Sequence, residues 1–97
     1  MIADTRKADA WVEDTSIALA NMMLMAEDLG IGSCWTQIRL RKTADGEDAG
    51  EVIRKMLGIP DHYAVEAVLS LGIPQQSPAP KTVSAENNPK VHFNGVF

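Results

Sequence analysis

Few residues in this chain have the type and spacing to do chemistry. His62 and His92 stand far apart, with no metal-ligand spacing around either, so no metal site is expected. Cys34 is the single cysteine, which excludes an internal disulfide and a multi-cysteine metal centre. It sits in a strand-like apolar stretch without a base close by, and reads as a packed thiol rather than a nucleophile. Gly30-Ile31-Gly32 places two glycines at a turn, but the residues that follow read as a strand and not a helix, so it is no dinucleotide fingerprint. Arg39, Arg41 and Lys42 form a small basic cluster. Such a cluster can meet a phosphate, but a solvated loop is the favoured reading. No side chain presents itself as a catalytic acid, base or nucleophile, so the catalytic residue is unknown.

Two helices and two strands must position these groups. Trp11 to Leu29 is dominated by alanine, leucine and methionine, all strong helix formers, with Asp9 or Asp14 as candidate caps and Gly30 as the stop. Its middle, Ile17 to Ala26, contains one polar residue, Asn21. A helix apolar on every side must be covered on every side. The rest of this chain is too small for that, so a second chain is expected, in a homodimer. A strand is expected near Ser33 to Ile38. A second helix from about Glu47 to Leu57 carries one apolar stripe, Ala49, Val52, Ile53, Met56 and Leu57, with Asp45 or Asp48 as cap and Gly58-Ile59-Pro60 as stop. A second strand, Ala64 to Leu71, is nearly continuous in apolar residues, which predicts burial on both faces. The intervening helix then reads as a right-handed crossover between parallel strands. Gln75 to Phe97 is proline-rich and polar, yet ends in apolar residues. A tail that wraps a partner subunit fits this better than a frayed end.

Composition limits the classes of function. With 97 residues the chain is one small domain at most, burying only about two-thirds of its unfolded surface. Nine Lys and Arg against thirteen Asp and Glu give a net charge of −4, which argues against a basic nucleic-acid binder. The 45% hydrophobic and 23% charged content is that of a globular protein rather than a disordered one. There is no apolar run long enough to span a membrane and no basic-then-apolar signal segment at the start, so a cytoplasmic location is expected.

The motifs, taken in order, resemble the C-terminal half of the FMN-dependent nitroreductase family. Glu13 to Ala26 looks like that family's long, alanine-rich dimer helix, and Leu29-Gly30-Ile31-Gly32-Ser33-Cys34-Trp35 is similar to its turn into a strand. Ile53 to His62 resembles its Leu-Gly-Ile-Pro corner, Val68 to Pro74 its strand end, and Lys90-Val91-His92-Phe93 its ending. Each motif is weak alone; their order and spacing across nearly the whole chain make the signal specific. The resemblance implies an α+β fold: helix, strand, helix, strand over residues 1–74, then a tail over 75–97 that wraps a partner, in an intertwined dimer. It implies FMN at the dimer interface, and hydride transfer from NAD(P)H through the flavin to a nitroaromatic or quinone-like acceptor.

Carried over position by position, Trp35, Thr36, Gln37 and Ile38 fall on the segment that passes the flavin ring, where the contacts come mainly from backbone groups. The competing reading makes Trp35 a core residue beside Cys34. Lys81 falls where the family places a basic residue against the FMN phosphate; the family commonly has arginine there, and a solvated tail lysine is the alternative. The family's N-terminal half, with its arginine- and serine-rich phosphate segment, has no counterpart here, since Arg6-Lys7 is the only basic pair near the start. Two functions therefore compete: an FMN-dependent oxidoreductase, or a non-catalytic remnant or accessory subunit that dimerises, with itself or with a longer nitroreductase-family chain, without holding FMN.

Overall fold

The computed structural model describes residues 1–82 and 90–92. The sequence expectations for residues 83–89 and 93–97, including most of the apolar ending, lie outside the described residues. The elements run β1 (Ile2–Asp4), α1 (Trp11–Asp28), β2 (Gly32–Gln37), α2 (Ala49–Met56), β3 (Tyr63–Val65) and β4 (Ala67–Gly72). The fold is mixed α+β, as expected.

Both helices stop where glycine allows it, and by the same hydrogen-bond pattern. Gly30 takes φ +69 and Gly58 φ +65. After α1, the Ile31 N–H donates to Ala26 O (2.8 Å) and the Gly30 N–H to Glu27 O (3.0 Å). After α2, the Ile59 N–H donates to Arg54 O (2.9 Å) and the Gly58 N–H to Lys55 O (3.3 Å). This paired closure satisfies carbonyls that the helix itself leaves open. The starts differ. The Asp48 side chain caps α2 by accepting from the Glu51 N–H at 2.9 Å. The N-cap position of α1 is Ala10 and makes no side-chain cap, so neither Asp9 nor Asp14 has the expected role. Glu13 and Asp14 still lie in the first turn, where negative charge suits the helix dipole.

The sheet topology departs from the sequence reading. β2 and β4 pair antiparallel, from Gly32 opposite Gly72 to Gln37 opposite Ala67. They are not parallel strands joined by a crossover helix. The expected single strand from Ala64 to Leu71 is two strands, broken at Glu66. Its first part, β3, pairs antiparallel with β1, a strand the sequence reading passed over, with Ile2 opposite Val65 and Asp4 opposite Tyr63. Burial on both faces does not hold either. Within this chain Ala67 is buried, while Val68, Ser70 and Leu71 are exposed.

The core is correspondingly small: Leu19, Ala26, Ile38, Val65 and Ala67, with the polar residues Thr15 and Glu66. The Thr15 hydroxyl is satisfied inside α1, donating to Trp11 O at 2.7 Å. Only Thr15, Leu19 and Ala26 of α1 are buried, whereas Ile17 (61%), Leu24 (70%) and Met25 (60%) are open. The chain exposes 7837 Å², against about 5,400 Å² for a compact monomer of this mass.

The end of β1 is fixed by charge. Arg6 donates to Asp4 through both Nε (3.1 Å) and Nη2 (3.0 Å), a bidentate pair. The Arg6 side-chain hydrogen bonds hold the Asp4 carboxyl at about 2, below its ordinary 3.8, outweighing the opposing effect of desolvation. The folded value lies below the unfolded one, so the stabilisation is complete above about pH 4 and is lost as the pH falls toward 2. An NMR titration of the Asp4 carboxyl is expected to show a midpoint near 2, and Arg6→Ala is expected to return it to about 4.

Candidate functional site

β2 has one paired edge and one open edge, because its sheet contains only β2 and β4 among the described residues. Along it the side chains alternate. Cys34 and Thr36 are exposed; Trp35 and Gln37 are half-buried; Ile38, just beyond, is buried. Cys34 is therefore a surface thiol in this chain and not the packed one the sequence predicts.

Trp35 and Gln37 belong to a side-chain network. The Trp35 indole Nε1–H donates to Gln37 Oε1 at 2.9 Å. The Gln37 amide Nε2–H donates to Arg39 O at 3.2 Å and to Glu66 Oε1 at 3.4 Å. Glu66 Oε2 lies 2.8 Å from Arg39 Nε in an ion pair. The geometry makes this a charge contact rather than an aligned hydrogen bond. The Glu66 side chain is 3% exposed and that of Arg39 35%. Arg39 is thus tied down, not part of a solvated loop. Arg41 and Lys42 do remain on an exposed turn. Trp35, Gln37, Arg39, Arg41 and Glu66 line one side of a cavity of about 430 Å³, and Val12 and Ser16 of α1 line the other.

The backbone of Glu66 completes the arrangement. Its carbonyl accepts from both the Ile38 N–H (3.2 Å) and the Arg39 N–H (3.0 Å), and its own N–H donates to Met1 O (3.1 Å). Glu66 thereby holds the end of β2 through main chain and side chain together. Sequence reasoning missed it, although a signal was there: one carboxylate inside an otherwise apolar run. The expected residues Trp35, Thr36, Gln37 and Ile38 come together, as neighbours on one strand must. Lys81 lies exposed on the segment after β4, and no hydrogen bond or ion pair joins it to residues 35–38 among the described residues.

The turn that leaves β2 is strained. Leu40 has φ +59, a left-handed conformation, and its side chain is 79% exposed, so packing does not hold it there. The Arg41 N–H closes the turn on Ile38 O at 3.0 Å. Leu40→Gly is expected to raise stability by about 1 kcal/mol, the left-handed penalty less the added chain entropy, as read by urea denaturation.

Comparison with known proteins places this geometry in context. The model of the nitroreductase family matches residues 2–73. The chain is 42% identical over 67 residues to the "Putative NADH dehydrogenase/NAD(P)H nitroreductase" of Archaeoglobus fulgidus, a match covering 69% of this chain and 36% of that protein. Among solved structures, it superposes on an FMN-dependent nitroreductase from Clostridium difficile with a TM-score of 0.85 and 41% identity, covering 98% of this chain and 55% of that one. A structure from Parabacteroides distasonis gives a TM-score of 0.77 at 34% identity, covering 98% and 53%. The chain therefore spans about a third of the curated relative's length and about half of these solved chains. Among the described residues, no helix is long and apolar enough to cross a membrane.

Proposed function

The chain belongs to the nitroreductase family, and from that premise we propose that it forms the ring-side half of an FMN-dependent NAD(P)H oxidoreductase site. The observation that carries this reading is the open outer edge of β2 at Trp35–Gln37, held from behind by Glu66. An open strand edge presents main-chain donors and acceptors in a row. Such a row suits the polar edge of a flavin ring, and N–H groups fixed beforehand stabilise charge that builds up on reduction. Hydride transfer from NAD(P)H to a nitroaromatic or quinone-like acceptor is the chemistry that FMN supplies when bound. The residues of this chain would hold the ring segment in place. Trp35, Thr36 and Gln37 would form the ring contact, Ile38, whose N–H goes to Glu66 O, would anchor the segment from its paired side, and Lys81 would offer one charge to the phosphate.

The fit is one-sided. A flavin phosphate calls for several charged or N–H donors, and exposed Lys81 alone does not make a cradle. The missing donors, and the cover for α1, are assigned to a partner: a second copy in an intertwined dimer, around which residues 75–97 would wrap. The thin phosphate side equally favours a second reading, an accessory or remnant subunit that pairs, with itself or with a longer family member, without holding FMN.

Gel filtration after incubation with FMN separates the two. Retained flavin absorbance near one per chain is the expected result, and a flavin-free dimer establishes the accessory reading instead. Leu24→Asp tests the partner. With Leu24 70% exposed in the single chain, the substitution is expected to leave the fold intact and to weaken the dimer by at least about tenfold, since it would bury an unpaired charge at the interface. An unchanged dimer constant in sedimentation would show that this helix face stays in water.

A further inference from the structure

We propose that Glu66 is a positioning residue: its buried carboxylate sets the orientation of Gln37 and Trp35, and the net charge, beside the segment assigned above to the flavin ring. The proposal rests on that assignment for its link to redox chemistry, but not for its geometry.

Hydrogen-bond polarity carries the argument. A glutamine side chain can turn its amide end for end at little steric cost. Here both neighbours forbid the turn. The Trp35 indole can only donate, and the Glu66 carboxylate can only accept. The amide must therefore present Oε1 to Trp35 and Nε2 to Glu66, as it does at 2.9 Å and 3.4 Å. Arg39 O, a second acceptor at 3.2 Å, reinforces the same sense. The two carboxylate oxygens serve different partners, Oε1 the amide and Oε2 the Arg39 guanidinium. A buried carboxylate is a costly way to fill space, and an apolar side chain would pack there more cheaply. What the carboxylate adds is direction for Gln37 and compensation for Arg39, whose side chain lies partly open at the cavity. Without it the cavity wall would carry uncompensated positive charge from Arg39 and Arg41.

Glu66→Gln in the full chain removes the charge while nearly keeping the shape. A flavin-free readout is the Trp35 indole N–H resonance, identified by its loss in Trp35→Phe. Glu66→Gln is expected to shift this resonance and to speed its hydrogen exchange by at least about tenfold, leaving the Trp11 indole unchanged. Gln37→Leu keeps the Glu66–Arg39 pair, guards against simple unfolding, and is expected to free the Trp35 indole in the same way. A Trp35 indole unaltered in Glu66→Gln overturns the positioning role, whatever Gln37→Leu does, since Gln37→Leu removes the indole's own acceptor. In flavin-loaded protein, Glu66→Gln is expected to move the midpoint potential positive, because uncompensated Arg39 favours the reduced anion; an unmoved potential overturns the charge-setting role. If the unaltered chain retains no FMN, the oxidoreductase reading fails, and the indole measurement decides the positioning role by itself.

Discussion

β3 and β4 are consecutive in sequence, yet they belong to different two-stranded sheets, and a single residue stands between them. Glu66 extends both ladders by one residue, facing Met1 beyond β1 and Ile38 beyond β2. Its N–H turns to Met1 O and its carbonyl receives two N–H groups from the end of β2. The buried carboxylate has left water, so it must find partners inside. It finds them in Gln37 and Arg39, both near the end of β2. The break between strands and the fixing of the candidate site are therefore one constraint. Removing the carboxylate's partners would leave a buried charge.

Around that junction the chain is only half covered. α1 spends three positions on its own core and exposes Ile17, Leu24 and Met25. Apolar side chains in water oppose folding, and a small core cannot offset many of them. The chain is folded locally, with both helix ends closed and α2 capped, while an apolar face of α1 stays open to water. This asymmetry underlies the proposal that a partner completes both the hydrophobic cover and the phosphate side of the site.

The same asymmetry describes the chemistry. β2 brings ordered main-chain groups and a fixed aromatic–amide–carboxylate relay to one edge. Strong positive charge is sparse: Arg39 is compensated, and Arg41, Lys42 and Lys81 are exposed. A strand edge alternates main-chain donors and acceptors, which suits a ring edge carrying both better than a dianion that needs converging N–H groups. On this reading, a half-site for the ring and not for the phosphate is what these residues provide.

Local rules made much of this legible from the residues alone. Alanine, leucine and methionine specified α1, and an apolar stripe with Asp45 or Asp48 before it specified α2. Gly30 and Gly58 marked the stops, because only a residue without a side chain enters the left-handed region cheaply. The order of motifs specified the family. What the tertiary structure decided was everything resting on pairing between distant segments. An apolar run such as Ala64 to Leu71 reads the same whether its partner strand is parallel or antiparallel, and whether it is one strand or two. Thus the antiparallel sheets, the strand β1 and the exposure of Cys34 were out of reach. So was the role of Glu66. A carboxylate's place is determined by the donors that meet it, and those donors lie 27 to 29 positions away in the chain, brought there only by folding.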